Sequence, residues 1–565
     1  MTRTSTRTGS LRLTRRKVLS SASVGALGLT TAAIVGCGDD DEDVEPTQGT
    51  TPGQSPAAQT PGAATATKGP SIRTGGSVAA VVSEPADLNP HTGISGGEHQ
   101  TLWLIHDNLI AYDEKSVPRE DLSLAKKWEV ASPTEVVLTL RDGVKFHDGT
   151  DLTADVVKYN LELILNPATA SVSRGQIAPI TAIETPDAKT VILKLSKPSA
   201  SLLLALGDRG GMMVSRASLE AKGLKDYAVA PTGGSGAFQF ENWVRNSNLK
   251  LKRNPNYWRT RDGQKLPHLD NLELKFIPEA AVSLAALQAS EIQIGPVSEE
   301  DLKSVESAKD LSVNKFEGAS TLQILMNRNS PVFKDPRARQ ALSYAVDRKS
   351  MVLAITDGRS QPALGPLTPA QWAFDPKLPA PSFDPKKAKQ LFEAAGFGSG
   401  TTIKVLTYAG VELYKRQVEL IQQSLRELGI TMNAEFVQTS AVYAEYKKGA
   451  HDAAFSGFSI RADPHGSLGE QFVSKGGFAW SQNPATLELE PEVDKLLTEA
   501  NQEYDLGKRT ALYRTAQDKI INEYAMVVCM YYGNTYLGQS QKTGATSSLF
   551  GGEGKPRLAE VYLKG

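Results

Sequence analysis

VLTLRDGVKFHDGTDLTADVVKYN, Val137 to Asn160, sets out a strand, a turn, a second short strand, a loop and the start of a helix in two dozen residues. Val137 to Leu140 is rich in β-formers, and Arg141-Asp142-Gly143 is a turn. Val144 and Phe146 alternate with Lys145 as one face of a short strand, and His147-Asp148-Gly149-Thr150 turns again. Thr153 is placed to cap a helix, with Asp155 near its positive end and Val156, Val157 and Tyr159 available for a core. His147 and Asp148 would make a metal or catalytic pair only with further ligands at suitable spacing. All seven histidines are scattered, so the pair reads as a turn fixed by side-chain-to-backbone bonds, and no metal site is expected.

The strand-RDGVKFHDGT-x-LTA pattern resembles the signature of the extracytoplasmic solute-binding proteins of ABC transporters, the peptide/nickel type known as solute-binding family 5. Further blocks share the resemblance: Gly75-Gly76 with Glu84-Pro85 and Leu88-Asn89-Pro90-His91, then Leu124-Ala125-Lys126-Lys127-Trp128, Pro231 to Phe238, and Arg253-Asn254-Pro255-Asn256-Tyr257-Trp258. The resemblance implies an α/β, two-lobed, periplasmic-binding-protein-like fold of type II, with an extra subdomain in lobe I. It also implies a function: capture of a di- or oligopeptide, or a related anionic compound, by hinge closure, and delivery to an ABC permease coupled to an ATPase subunit. Neither enzymatic chemistry nor a cofactor follows from it.

Toward the N-terminus, Thr14-Arg15-Arg16-Lys17-Val18-Leu19 fits a twin-arginine export signal, and the apolar small-residue run to Val35 suits a signal peptide better than a permanent span. Ile34-Val35-Gly36-Cys37 reads as a lipobox, so residues 1–36 are expected to be removed and Cys37 to carry the lipid. Residues 37–74 are acidic, then rich in Thr, Pro, Ala, Gln and Gly; they bury too little to fold and read as a tether. Localisation is therefore expected on the outer face of the cytoplasmic membrane, on the periplasmic side if an outer membrane exists. A net charge of -1 with 22% charged residues excludes a nucleic-acid-binding surface, and Cys37 and Cys529 as the only cysteines argue against a structural disulfide. The remainder is too long for one core and divides, on this reading, into lobe I (75–318), lobe II (319–533) and a return to lobe I (534–565), as a monomer.

In lobe II, Asp335-Pro336 and Asp384-Pro385 each open a helix, and strand, helix, strand from Thr402 to Val437 is a parallel unit. Leu558 to Leu563 is expected to close the sheet of lobe I. Ligands in such folds sit beyond the carboxyl ends of strands and between lobes. The candidate contacts are Tyr408, Glu412 and Tyr414 after one strand, Arg461, Asp463 and His465 after Ala453 to Ile460, and Trp480 as a wall. Arg461 suits a carboxylate. Ser95, Gly96 and Gly97 would bring backbone N–H groups to a ligand from lobe I. Gly93 to Gly97 also matches G-x-S-x-G by letter, so a secreted serine hydrolase using Ser95 is the alternative from another class, although Pro90 and the polar loop before Ser95 do not supply the required strand. A metal-chelate binder of the nickel type is the alternative within the fold.

Overall fold

The computed structural model describes residues 71–93, 98–438 and 441–565; Cys37, Ser95, Gly96 and Gly97 lie outside them, as do the signal segment and nearly all of the tether. An eleven-stranded sheet runs through both lobes. Its order from the second lobe to the first is Thr431–Val437, Thr402–Tyr408, Ala453–Ser459, Leu311–Met326, Val527–Ser540, Ile294–Pro296, Ser77–Val81, Asn271–Lys275, Asn248–Arg253 and Phe238–Val244, with Gln361–Pro362 paired to the side of Val527–Ser540. Thr402–Tyr408 lies parallel to both of its neighbours, as the short-jointed strand-helix-strand unit requires. Both faces of this end of the sheet are covered. Val405 and Ile324 enter one core with Phe333, Ala338 and Phe392, while Leu406 and Leu325 enter another with Tyr446, Phe472 and Tyr513. That double burial accounts for the nearly unbroken apolar runs of these strands.

The extra subdomain of the first lobe is a four-stranded antiparallel sheet, Ala125–Ser132, Glu135–Leu140, Thr190–Leu195 and Ile180–Asp187, covered by the helix Ala154–Leu165. Thr153 caps that helix by accepting from the Val156 N–H. The expected strand at Val144 to Phe146 is not formed. The alternation is real, since Val144 and Phe146 are buried, but tight turns on both sides leave room for a single bridge between Lys145 and Asp151. The C-terminal segment also differs from expectation. Val561–Lys564 does not join the main sheet but forms a separate three-stranded one with Ile72–Arg73 and Thr543–Ala545.

Three motifs distant in sequence converge on one carbonyl. The Gly236 oxygen accepts from His147 Nε2 and from Asn254 Nδ2, each at 3.0 Å, while the His147 N–H donates to the Gly234 oxygen at 2.7 Å. Gly236 N–H in turn closes onto the Ile105 carbonyl at 2.8 Å. The glycines are needed because the backbones touch: a Cβ on Gly234 would run into the Ile105 oxygen. Tyr257 and Trp258 of the third motif donate to the two Asp107 oxygens at 3.0 and 2.8 Å. Burial raises the Asp107 pKa to about 6 against these bonds. The most recognisable blocks of the sequence thus build the frame of the first lobe.

Two outcomes follow for stability. Gly234→Ala is expected to destabilise the protein by about 2–3 kcal/mol in urea unfolding, the cost of overpacking against a fixed backbone. Burial lowers the pKa of His91 and His147 to about 4 and that of His106 to about 3. The unfolded chain then takes up protons first as pH falls through 6.5, so each histidine removes up to about 1.4 kcal/mol of stability per pH unit below that point. Asp107, raised instead, offsets part of this between its unfolded value of 3.8 and about 6. Unfolding midpoints measured from pH 7 to pH 4.5 should fall, and less steeply in His147→Gln.

Candidate ligand-binding cleft

The carboxyl ends of Thr402–Tyr408 and Ala453–Ser459 present an aromatic wall. Tyr408 stacks on Tyr414 with centroids 4.3 Å apart, and the Tyr414 hydroxyl reaches over Gly457. Tyr443, on the short helix Val442–Tyr446, shares a 3.3 Å hydrogen bond with Ser456 and packs edge-on against Trp480 at 5.2 Å; Phe478 in turn meets Phe458 at 5.5 Å. Burial is the main cause raising the Tyr408 and Tyr414 phenols above their ordinary pKa, with the Tyr443 hydroxyl adding to it. Both are neutral groups that donate or accept hydrogen bonds.

The structure brings some of the sequence-expected residues together and gives others different surroundings. Tyr408, Tyr414 and Trp480 belong to one cluster, but Tyr408 and Trp480 are only 6% and 8% exposed, and the Trp480 indole N–H is used on the Gly477 carbonyl at 2.8 Å. Glu412 is exposed at the first turn of Glu412–Glu427, 3.5 Å from Arg416. Asp463 caps the helix Pro464–Phe472 through the His465 N–H at 2.8 Å, and the same oxygen receives Arg509 Nη2 at 2.8 Å. Its second oxygen is buried without a hydrogen-bond partner among the described residues. His465 stays neutral, its pKa lowered to about 4 chiefly by burial. Arg461 is half-buried; its Nη1 donates to the Ser459 and Ile460 carbonyls at 3.3 and 3.4 Å. Tyr443 and Phe458 were not singled out from sequence, because neither stands in a motif and only the fold carries them to this wall.

On the first lobe's side stand Trp103, with the Arg557 guanidinium 3.2 Å from its ring centroid, and the pair His99 and Asp208 at 2.5 Å. Arg209 and Glu98 form a buried ion pair at 2.7 Å beside the loop that precedes them. The lobes also touch directly. Ala200 N–H donates to the Asn501 carbonyl at 2.7 Å, Ser199 N–H to the Tyr504 hydroxyl at 3.2 Å, and that hydroxyl to the Pro133 carbonyl at 3.2 Å. A cavity of about 330 Å³ lies within the first lobe beyond Trp103. Its arginines are neutralised internally, Arg259 and Arg261 by Glu560 at 2.7 and 2.9 Å. Among the described residues no cluster of His, Cys, Asp and Glu is arranged to hold a metal ion, and no helix is long and apolar enough to cross a membrane.

A family model described as bacterial extracellular solute-binding proteins, family 5, middle region, matches residues 122–480. The oligopeptide-binding protein AppA of Bacillus subtilis is 25% identical over 486 residues, covering 81% of this chain and 86% of AppA. The glutathione-binding protein GsiB of Escherichia coli is 28% identical over 396 residues, covering 68% of this chain and 75% of GsiB. Among solved structures, the periplasmic binding protein DppA from Helicobacter pylori, in complex with the peptide STSA, superposes with a TM-score of 0.74 at 25% identity, over 87% of this chain and 99% of DppA.

Asp463→Ala should cost about 3–5 kcal/mol of folding stability in urea titrations, because Arg509 would be left buried without its counter-charge. The pair Asp463→Leu with Arg509→Met is expected to recover most of that loss.

Proposed function

Because the chain belongs to the bacterial extracellular solute-binding proteins of family 5, we propose that it captures a di- or oligopeptide, or a related anionic compound, between its lobes and presents it to the permease of an ABC importer. The family consists of extracytoplasmic binding proteins that serve such permeases. The observation that carries the reading for this chain is the aromatic cluster at the carboxyl ends of Thr402–Tyr408 and Ala453–Ser459, in which Tyr414 and Tyr443 are half-buried while Tyr408 and Phe458 are buried behind them. Aromatic faces with a few hydroxyls suit side chains of variable shape, since they supply area without demanding one hydrogen-bond pattern. The relatives named for oligopeptide, glutathione and STSA binding support this class of solute.

Binding on this reading needs no covalent step. The solute touches both lobes, closure at the boundary near residues 318–319 and 533–534 expels water, and the closed form shows the permease a different surface. Ser95, Gly96 and Gly97 contribute backbone donors from lobe I, and Arg461 with the loop through His465 contributes from lobe II. The protein acts as a monomer held to the membrane by a lipid on Cys37, with residues 37–74 as tether. A tether of that kind spans on the order of tens of Å as a flexible coil, enough to reach a membrane partner.

Native mass spectrometry of the protein from Gly75 onward, followed by denaturation, is expected to release a stoichiometric peptide or anionic metabolite. Ser95→Ala should leave that capture intact; loss of an esterase activity in this variant would instead establish the hydrolase. Tyr504→Phe removes the hydroxyl shared by Ser199 and Pro133. It is expected to weaken solute affinity about fivefold, the equivalent of one net hydrogen bond of about 1 kcal/mol, mainly through faster dissociation.

A further inference from the structure

Two cations, Lys555 and Arg461, stand within reach of one another's charge where two chain segments pack on the same strand. Lys555 follows Gly554, where an added Cβ would stand 3.0 Å from the Ala319 methyl on the crossing strand Leu311–Met326. The Ala319 carbonyl accepts from Ile460 N–H at 3.1 Å, immediately before Arg461. One short piece of the crossing strand therefore places both side chains beside the point where the lobes join.

Among the described residues neither cation forms an ion pair or hydrogen bond with an acid, although the Asp208 charge reaches Lys555. Among the described residues the Arg461 guanidinium bonds only to the adjacent carbonyls, and it lies 5.6 Å from the Phe458 centroid. The Lys555 ammonium lies 5.9 Å from the Trp103 centroid and, among the described residues, takes part in no hydrogen bond or ion pair. The two carboxylates whose charge reaches Lys555 are engaged elsewhere. Asp208 is held by His99 at 2.5 Å and by the Arg209 N–H at 2.8 Å, and Glu553 is bonded to Tyr112 and to Arg557. Burial lowers the Lys555 pKa to about 8; Asp208 works against that, and the Arg461 charge reinforces it. Buried Arg509 is matched to Asp463, and buried Arg348 to three carbonyls at 2.6, 3.0 and 3.0 Å, where half-buried Arg461 reaches two at 3.3 and 3.4 Å. Unmatched like charges beside apolar rings are costly unless an anion joins them.

We propose that Lys555 and Arg461 form a clamp, one jaw on each lobe, for a carboxylate of the solute, and that their mutual repulsion opposes closure until that carboxylate arrives. The clamp rests on the reading of the cleft as the solute site and narrows the solute to one bearing a free carboxylate. Arg461 supplies a planar fork that accepts a carboxylate bidentately, and Lys555 supplies a point charge from the other side. Trp103 and Phe458 stand beside the two half-buried charges, and apolar surroundings strengthen the attraction to a bound anion and, equally, the repulsion when it is absent.

Two measurements test this on the mature chain and on Lys555→Gln and Arg461→Gln, each freed of co-purified solute by unfolding and refolding. The first is small-angle scattering of the solute-free proteins at low and high salt. The wild type should be more extended at low salt and contract as salt screens the pair, and both variants should be compact and insensitive to salt. Equal radii of gyration for all three proteins would overturn the clamp. The second is calorimetry with a mixed tripeptide library as free acids and as C-terminal amides. The free acids should bind at least tenfold more tightly than the amides, and that preference should vanish in either variant. Equal binding of acids and amides by the wild type would overturn the clamp while leaving solute capture standing. Binding of neither form would count against peptide capture, and the scattering comparison would still decide the clamp.

Discussion

The antiparallel pairing of Leu311–Met326 with Val527–Ser540 is the constraint on which both lobes depend, because these two strands are the route by which the main sheet passes between them. The ladder is regular from Leu311 to Phe316 and resumes at Ser320, where the register shifts. Between these points Gly318 adopts φ +66° and its N–H is received by the Asn534 side chain at 3.2 Å, so ladder bonds give way to a side-chain bond. Bending is cheapest where a ladder is already interrupted, because few backbone bonds must be distorted there. The base of the cleft lies at the same place: Ala319 touches Gly554 and bonds Ile460. A small rotation at this break moves Arg461 and Lys555 relative to one another more directly than it moves any residue of the cores.

The cores themselves resist such deformation. Arg339 and Arg348 spend their guanidinium donors on carbonyls, Arg339 on Phe333, Tyr524 and Ala525, and Arg348 on Cys529 of Val527–Ser540, the partner of the crossing strand. Five donors in a rigid fork can satisfy several chain ends at once, which a lysine cannot do. Burial lowers both guanidinium pKa values to about 10, still far above neutral, so the charge persists and the carbonyls around it must stay in place. The second lobe is thereby tied to the crossing strand as one piece, and motion is left to the break at 317–319.

Much of this was legible wherever the signal is local. Asp335-Pro336 and Asp384-Pro385 do cap helices, and Thr402–Tyr408 is the first strand of the expected strand, helix, strand unit. The short strand at Val144 was misread because burial alternation needs only two side chains, whereas a ladder needs neighbours along several residues. Within the helix Leu506–Asp518, Arg509 and Tyr513 are buried while the apolar Ala511 is exposed. The reason is Asp463, 46 residues earlier, which draws Arg509 inward; no spacing rule reports a partner at that separation. Lys555 was invisible for a similar reason. It stands in a Gly-rich stretch with no periodicity, and its surroundings come from Trp103 and the crossing strand.

Closure must then be a nearly balanced reaction for a solute to control it. Holding the two sides together are the hydrogen bonds of Ala200, Ser199 and Ser201 to Asn501 and Tyr504, each contributing about 1 kcal/mol net. Exposed ion pairs such as Lys303 with Asp357 at 3.0 Å add little, since solvent screens them. Opposing closure are the ordering of the rim loops and the approach of two unmatched cations. A solute that supplies an anion between the cations converts the opposing term into a favourable one. It therefore shifts the equilibrium by more than its contacts with either lobe alone, which is the differential affinity that a two-state closure requires.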